Sequence, residues 1–197
     1  MMKPKLSVRR IIIRQSCAIL TVVCFLAGAG QAQTVTNAPP TELEQFEAQT
    51  GTVIVKGIGL VGSVATTAGT ISVRSRASAD ITAGRRQFGL ELELLENDHL
   101  VDKAVVDYDE LDSLLKGIDY LGKISYDVTP LPGFEAVYAT KSGLRLVAYS
   151  SRRLGGIQLF LQYGDQPRIP LASDQLAQIR DLISQARTAL AALMAAK

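Results

Sequence analysis

From Thr52 onward apolar and polar residues alternate with a period of two, the spacing of side chains that share one face of a strand. Val53-Ile54-Val55 and the stretch from Ile58 to Val64 are β-branched and rich in glycine. Thr66 to Thr70 is a turn signal, and Ile71 to Arg76 alternates again. Phe88, Leu90, Leu92 and Leu94 stand at even positions with Glu91 and Glu93 between them, which predicts a half-buried antiparallel strand. Arg74 and Arg76 are placed to lie across from those glutamates, each pairing worth about 0.2–1 kcal/mol. Asn97-Asp98 makes the next turn, and Val101 to Tyr108 the next strand.

The period then lengthens. Leu111, Leu114, Leu115, Ile118 and Leu121 share one helical face, with Asp109 as N-cap and Glu110 and Asp112 complementing the positive end of the dipole. Gly117 weakens that helix and Gly122 is a natural stop. Pro130 and Pro132 mark Ser125 to Gly133 as a connecting loop. Three further strands follow, at about 134–140, 144–150 and 157–163. Lys141-Ser142-Gly143 suits a three-residue hairpin loop that pairs Thr140 with Leu144 and sets Phe134, Ala136, Tyr138, Leu144, Leu146 and Ala148 on one face. Arg152 to Gly156 makes another loop, and Pro167 and Pro170 close the sheet region. Ser173 then caps a last helix whose stripe runs through Leu176, Ile179, Ile183, Ala186, Leu190 and Leu193. Such a stripe either pairs as a coiled coil or lies across its own sheet, and the second is the expectation here. The pattern predicts an α+β fold: a mainly antiparallel β-sheet of about six to seven strands, with two amphipathic helices packed on one side, the second at the C-terminus.

The start of the chain reads differently. Lys3, Lys5, Arg9, Arg10 and Arg14 precede an uncharged apolar run from Ser16 to Ala29, closed by Ala27, Gly28, Ala29, Gly30 and Ala32. That is the layout of a secretory signal peptide over residues 1–32, cleaved after Ala32. An uncleaved anchor would need about 20 largely apolar residues, and Arg14 interrupts the run. Residues 33–50, with Asn37 and Pro39-Pro40, read as a flexible arm, in which Thr41 and Glu44 form a capping box for a possible short helix. Residues 51–197 then form a single α+β domain.

Composition supports one domain: 197 residues, 47% of them hydrophobic. Removing residues 1–32 lowers Lys plus Arg from 21 to 16 against 19 acidic residues, so the net charge passes from +2 to −3. The basic balance belongs to the export segment, which removes the argument for nucleic-acid binding. Cys17 and Cys24 leave with it, so disulfides, cysteine nucleophiles and thiolate metal sites are excluded from the remainder.

Several motifs imitate chemistry. Gly57-Ile58-Gly59-Leu60-Val61-Gly62 matches the dinucleotide fingerprint, and Asp80 stands where a ribose-binding acid is expected. The residues that follow, Ser63 to Thr70, are poor helix formers, so the expectation is a glycine-rich strand and no cofactor. Ser113 and Lys116 form an S-x-x-K pair, and Lys141-Ser142-Gly143 resembles the later K-T-G element of penicillin-binding proteins, although no S-D-N element lies between them. Residues 91–112 hold nine acids against Lys103, among which Asp107, Asp109 and Asp112 are candidates to converge on calcium. A solvated strand face explains them without a metal. His99, the single histidine, reads as an exposed loop residue, and Tyr138, Tyr149 and Tyr163 as sheet packing in place of sugar platforms.

The run from Tyr108 through Asp112-Ser113-Leu114-Leu115-Lys116 to Tyr120, with its preceding strands, resembles small exported bacterial proteins of unassigned function. That resemblance implies export and one compact domain, and it carries no activity. The expectation is therefore an exported domain of the periplasm or medium, with no membrane span after cleavage. It would be a non-catalytic protein that binds an envelope protein or polymer through an open sheet face or edge. The alternatives are a small serine hydrolase using Ser113 and Lys116, or a carrier with an apolar pocket between sheet and helices. No catalytic, cofactor or metal residue is assigned.

Overall fold

The computed structural model describes residues 40–151 and 155–196. The expected export segment, the first part of the arm and most of the Arg152–Gly156 loop lie outside the described residues. Among the described residues, three α-helices, α1 (Glu42–Glu47), α2 (Leu111–Leu121) and α3 (Ser173–Ala195), accompany eight strands. The strands are β1 (Ile54–Thr66), β2 (Gly69–Asp80), β3 (Arg85–Glu96), β4 (His99–Asp107), β5 (Glu135–Ala139), β6 (Leu144–Ser151), β7 (Gly156–Tyr163) and β8 (Ile169–Leu171).

The strands form two four-stranded antiparallel sheets, β1-β2-β3-β4 and β5-β6-β7-β8, each a meander in chain order. The fold class is as the alternation predicts. The difference lies in the division into two sheets and in β8, hidden in the sequence by Pro170. Proline is tolerated there because β8 is an edge strand, where a missing N–H breaks no ladder bond. The hairpin at Lys141-Ser142-Gly143 has the expected register, with Thr140 N donating to Leu144 O at 2.9 Å and Gly143 at φ 82°. Asn97 and Asp98 both take positive φ, the conformation of a type I′ turn.

Two helix starts differ from expectation. A 3₁₀ turn over Tyr108–Glu110 precedes α2, so Asp109 is no cap, and Ser173 is already the first residue of α3. The orphan amide of Ala172 is met by Gln175 Oε1 at 2.8 Å. The Thr41–Glu44 capping box forms in both directions. The stretch expected as an arm is in fact docked from Thr41 onward: Thr41 and Leu43 are fully buried, because Leu43 and Phe46 bring apolar area that the sheet can cover.

Each half of this domain is four strands followed by a helix, and the helices are exchanged. The helix that follows the first sheet, α2, packs on β5 and β6 of the second, while α3 packs on β1, β2 and β3 of the first. Ile71, Val73, Leu92, Leu114, Leu161 and Ile183 consequently belong to one continuous core. Two glycines set the close approaches. A Cβ on Gly62 would come within 2.5 Å of the Leu182 side chain, and one on Gly117 within 2.5 Å of the Tyr138 ring. Gly117 thus serves packing, which accounts for its place inside a helix. Arg180–Asp119 (2.5 Å) and Arg187–Asp112 (2.6 Å) tie the two helices together.

Candidate functional site

Alternation turns Ser72, Arg74, Arg76 and Ser78 of β2, with Glu91 and Glu93 of β3, away from α3. On this outer face lies α1. Gly89 leaves room for it, since a Cβ there would meet the Leu43 side chain at 2.8 Å and Val106 O at 2.7 Å. Asp107, at the end of β4 and fully buried, accepts from Glu42 N (2.9 Å) and Leu43 N (3.0 Å), so a carboxylate closes the positive end of α1. At the other end, Glu47 receives Arg76 (2.6 Å), Lys56 (2.8 Å) and Ser78 Oγ (2.6 Å). The second terminal nitrogen of Arg76 meets Glu91, and Arg74 Nε meets Glu93 at 2.6 Å. The expected arginine–glutamate pairing is present, but on the diagonal, because Arg74 stands directly opposite Glu91 and Arg76 opposite Gly89.

The charges balance: Lys56, Arg74 and Arg76 against Glu47, Glu91 and Glu93. Burial alone would raise Glu47, but hydrogen bonds from Lys56 and Ser78 and the Arg76 charge hold it below the usual range. Burial, then the hydrogen bond shared with Glu91, pushes Glu93 up against the pull of Arg74. As a unit the network fastens α1 to the sheet. It presents no free nucleophile and no free base.

Several carboxyls depart from their ordinary range, in two opposite senses. Burial raises Glu93, Asp102 and Glu110, so the stability they contribute is present below the unfolded values and is lost as pH rises through the native ones. Asp80 works in the opposite sense. Hydrogen bonds from Thr52, the Ala83 amide and Arg85 hold it at about 2, so its contribution is present above the ordinary aspartate range and lost as pH falls toward 2. Glu47 and Asp119 act as Asp80 does. The melting temperature is therefore expected to peak between about pH 4 and 6 and to fall on both sides. A melting temperature that climbs steadily to pH 8 would contradict these assignments.

The sequence motifs separate. Gly57 to Gly62 lies inside β1, whose chain continues straight into the β1–β2 hairpin with no helix after Gly62, and Asp80 is committed to the turn at the far end of β2. Ser113 Oγ donates to Glu110 O and lies 2.8 Å from Tyr138 Oη. Burial raises the Tyr138 phenol, so neither partner takes a proton from Ser113 at neutral pH, and Lys116 stands exposed on α2. Lys141 is held by Asp109 at 3.2 Å. Asp107 and Asp109 both face the Lys141 ammonium, at 3.7 and 3.2 Å, Asp107 also holds α1, and Asp112 pairs with Arg187; among the described residues no cluster of His, Cys, Asp or Glu is placed to hold a metal. His99 is exposed at the start of β4. Tyr163 is buried in the core, while Tyr138 and Tyr149 stand on opposite faces of the second sheet, so these three tyrosines do not share one surface.

Sheet edges and open faces remain. On the outer face of the second sheet, Val137, Val147, Phe160 and Pro170 stand in one row, bridged over by Arg168 and Glu135 at 2.7 Å from its two edges. Val147 is only 1% exposed beneath them. The groove between α2 and α3 encloses about 150 Å³, and its charged pair, Asp119 and Arg180, is already joined. Three edges are guarded: β8 has three residues with Pro170, β5 has five, and β4 carries Asp102, Lys103 and Asp107. β1 is not. It runs 13 residues with no charge from Gly57 to Thr66, and Ile58 and Leu60 are 53% and 62% exposed. The missing charges are visible in the sequence. That the strand is an edge is not.

Among the described residues no helix is long and apolar enough to cross a membrane. No family model, curated protein or solved structure matches the chain.

Proposed function

We propose that the protein is an exported, non-catalytic binding protein that receives an extended segment of a partner by strand addition along β1. The observation that carries this reading is the contrast among the four edges: three are short, prolyl or carry several charges, and the longest carries one charge, Lys56, which is held by Glu47. Unpaired main-chain groups on such an edge supply affinity, and the exposed side chains of Ile58 and Leu60 supply selectivity for apolar residues at alternate positions. The hydrolase reading has less support, since Ser113 has a carbonyl and a protonated phenol as partners. The carrier reading has less as well, because side chains of both sheets and both long helices fill the space between them. Export rests on the basic and apolar layout of residues 1–32.

The test is a fluorescent nine-residue peptide alternating valine and threonine, titrated into the purified protein. Binding is expected, and Ile58→Pro, which removes a donor from the open edge while sparing the β2 ladder, should weaken it at least tenfold without changing the far-ultraviolet spectrum. Unchanged binding in a folded Ile58→Pro variant would overturn the reading.

A further inference from the structure

We infer that the strand added along β1 is the β1 of a second copy of this chain, paired antiparallel about a twofold axis at Gly57. The inference rests on the strand-addition reading and names its occupant. Ile81 N donates to Val53 O, so alternation aims the N–H and C=O of Ile54, Lys56, Ile58 and Leu60 away from β2. A bulge at Leu60/Gly62 ends the regular part of the strand, leaving Ile54–Leu60 as the straight segment, and Gly57 is its midpoint.

A twofold axis through that midpoint pairs Ile54 with Leu60 of the second copy and Lys56 with its Ile58, each pairing occurring twice. About eight main-chain bonds result, all from groups that now face outward. On the face toward α3, Val55, 51% exposed, comes opposite Gly59, so the large residue of one strand meets the bare backbone of the other. Gly57 faces Gly57 where the two backbones come closest. Lys56 is the only charge on the paired segment and stays with its own Glu47, so its stem covers the facing Ile58 and no like charges are opposed. The joined sheets make one eight-stranded sheet bounded on both sides by the charged β4, which closes the assembly at two copies.

The experiment uses the purified full chain with Cys17→Ser and Cys24→Ser as background. Gly57→Cys places two thiols opposite each other at a Cα separation of about 4.5 Å, within the range a disulfide spans. A Cβ at Gly57 meets only Ala77 O at 3.4 Å, an ordinary contact. Mild oxidation should give a covalent dimer in high yield, while Val137→Cys, also exposed but on β5, should not. Sedimentation of the cysteine-free chain should show a dimer that Ile58→Lys, facing Lys56 of the second copy, weakens at least tenfold. A monomer at every concentration, or a dimer indifferent to Ile58→Lys and not captured by oxidation of the Gly57→Cys variant, overturns the inference. If the monomer still binds the valine–threonine peptide, strand addition stands and only the second copy is excluded. If it binds neither, both fail.

Discussion

Truncation of the chain after Ala172, which removes α3, is expected to unfold the whole domain and not its second half alone. Five side chains of α3, those of Leu176, Ile179, Ile183, Ala186 and Leu190, are buried. Covering a leucine or isoleucine is worth about 1.5–3 kcal/mol, so the four large ones together contribute about 6–12 kcal/mol, as much as a typical domain's entire stability. What they cover is the inner face of β1, β2 and β3, including Ile71, Val73 and Leu92, which lies in the other half of the chain. The far-ultraviolet spectrum should lose its strand signal, and amides of β2 and β3 should exchange as in an unfolded chain. Protection of β2 and β3 surviving the truncation would show that the exchanged helices are not the source of stability. A milder form of the experiment is Ile183→Asp, which buries an unpaired carboxylate in the same place and should be nearly as damaging.

Arg76→Met is the second large effect. Arg76 is 7% exposed, lies between Glu47 and Glu91, and has no solvent to replace it there. Removing one member of a buried ion pair leaves an uncompensated charge and costs about 3–5 kcal/mol, whereas exchanging all members for uncharged ones is close to neutral. At about 2–4 °C per kcal/mol for a domain of this size, the melting temperature should drop by about 6–20 °C. Adding Glu47→Gln and Glu91→Gln should recover most of it. The deficit should also shrink toward acid pH. Without the guanidinium Glu47 loses one of the contacts that hold it low and titrates higher in the native state, so the variant's deficit grows as pH rises through that value. A deficit that is the same at pH 4 and pH 7 would mean that Arg76 acts by packing alone.

Legibility in the sequence followed the range of the interaction. The alternation of β3, the Gly143 hairpin and the stripe of α3 are set by neighbours within a few residues, and each is present where its period places it, except that the α3 stripe is buried only as far as Leu190 and Leu193 is 50% exposed. The second sheet, the crossing of α2 and α3, and the reason for Gly117 depend on which surfaces meet across the fold, and periodicity carries no such information. The same holds for the site. Arg74, Arg76, Glu91 and Glu93 were legible as a cross-strand set, but the diagonal register came from strand pairing. The docking of α1 came from Asp107, which in sequence is one acid among many. The glycines of β1 invited a cofactor reading because a fingerprint is local, while an open edge is a property of the whole sheet.

Amide exchange resolved residue by residue decides whether β1 is an open edge awaiting a strand. In dilute protein the amides of Lys56, Ile58 and Leu60 should exchange nearly as fast as in a free peptide, while those of Val55, Gly57 and Gly59, bonded to β2, should be slow. At high protein concentration, or on adding the alternating peptide, the fast set should become slow and the slow set remain so. Equal protection of all six amides in dilute, monomeric protein, or a fast set that stays fast under every condition, would contradict that role for β1.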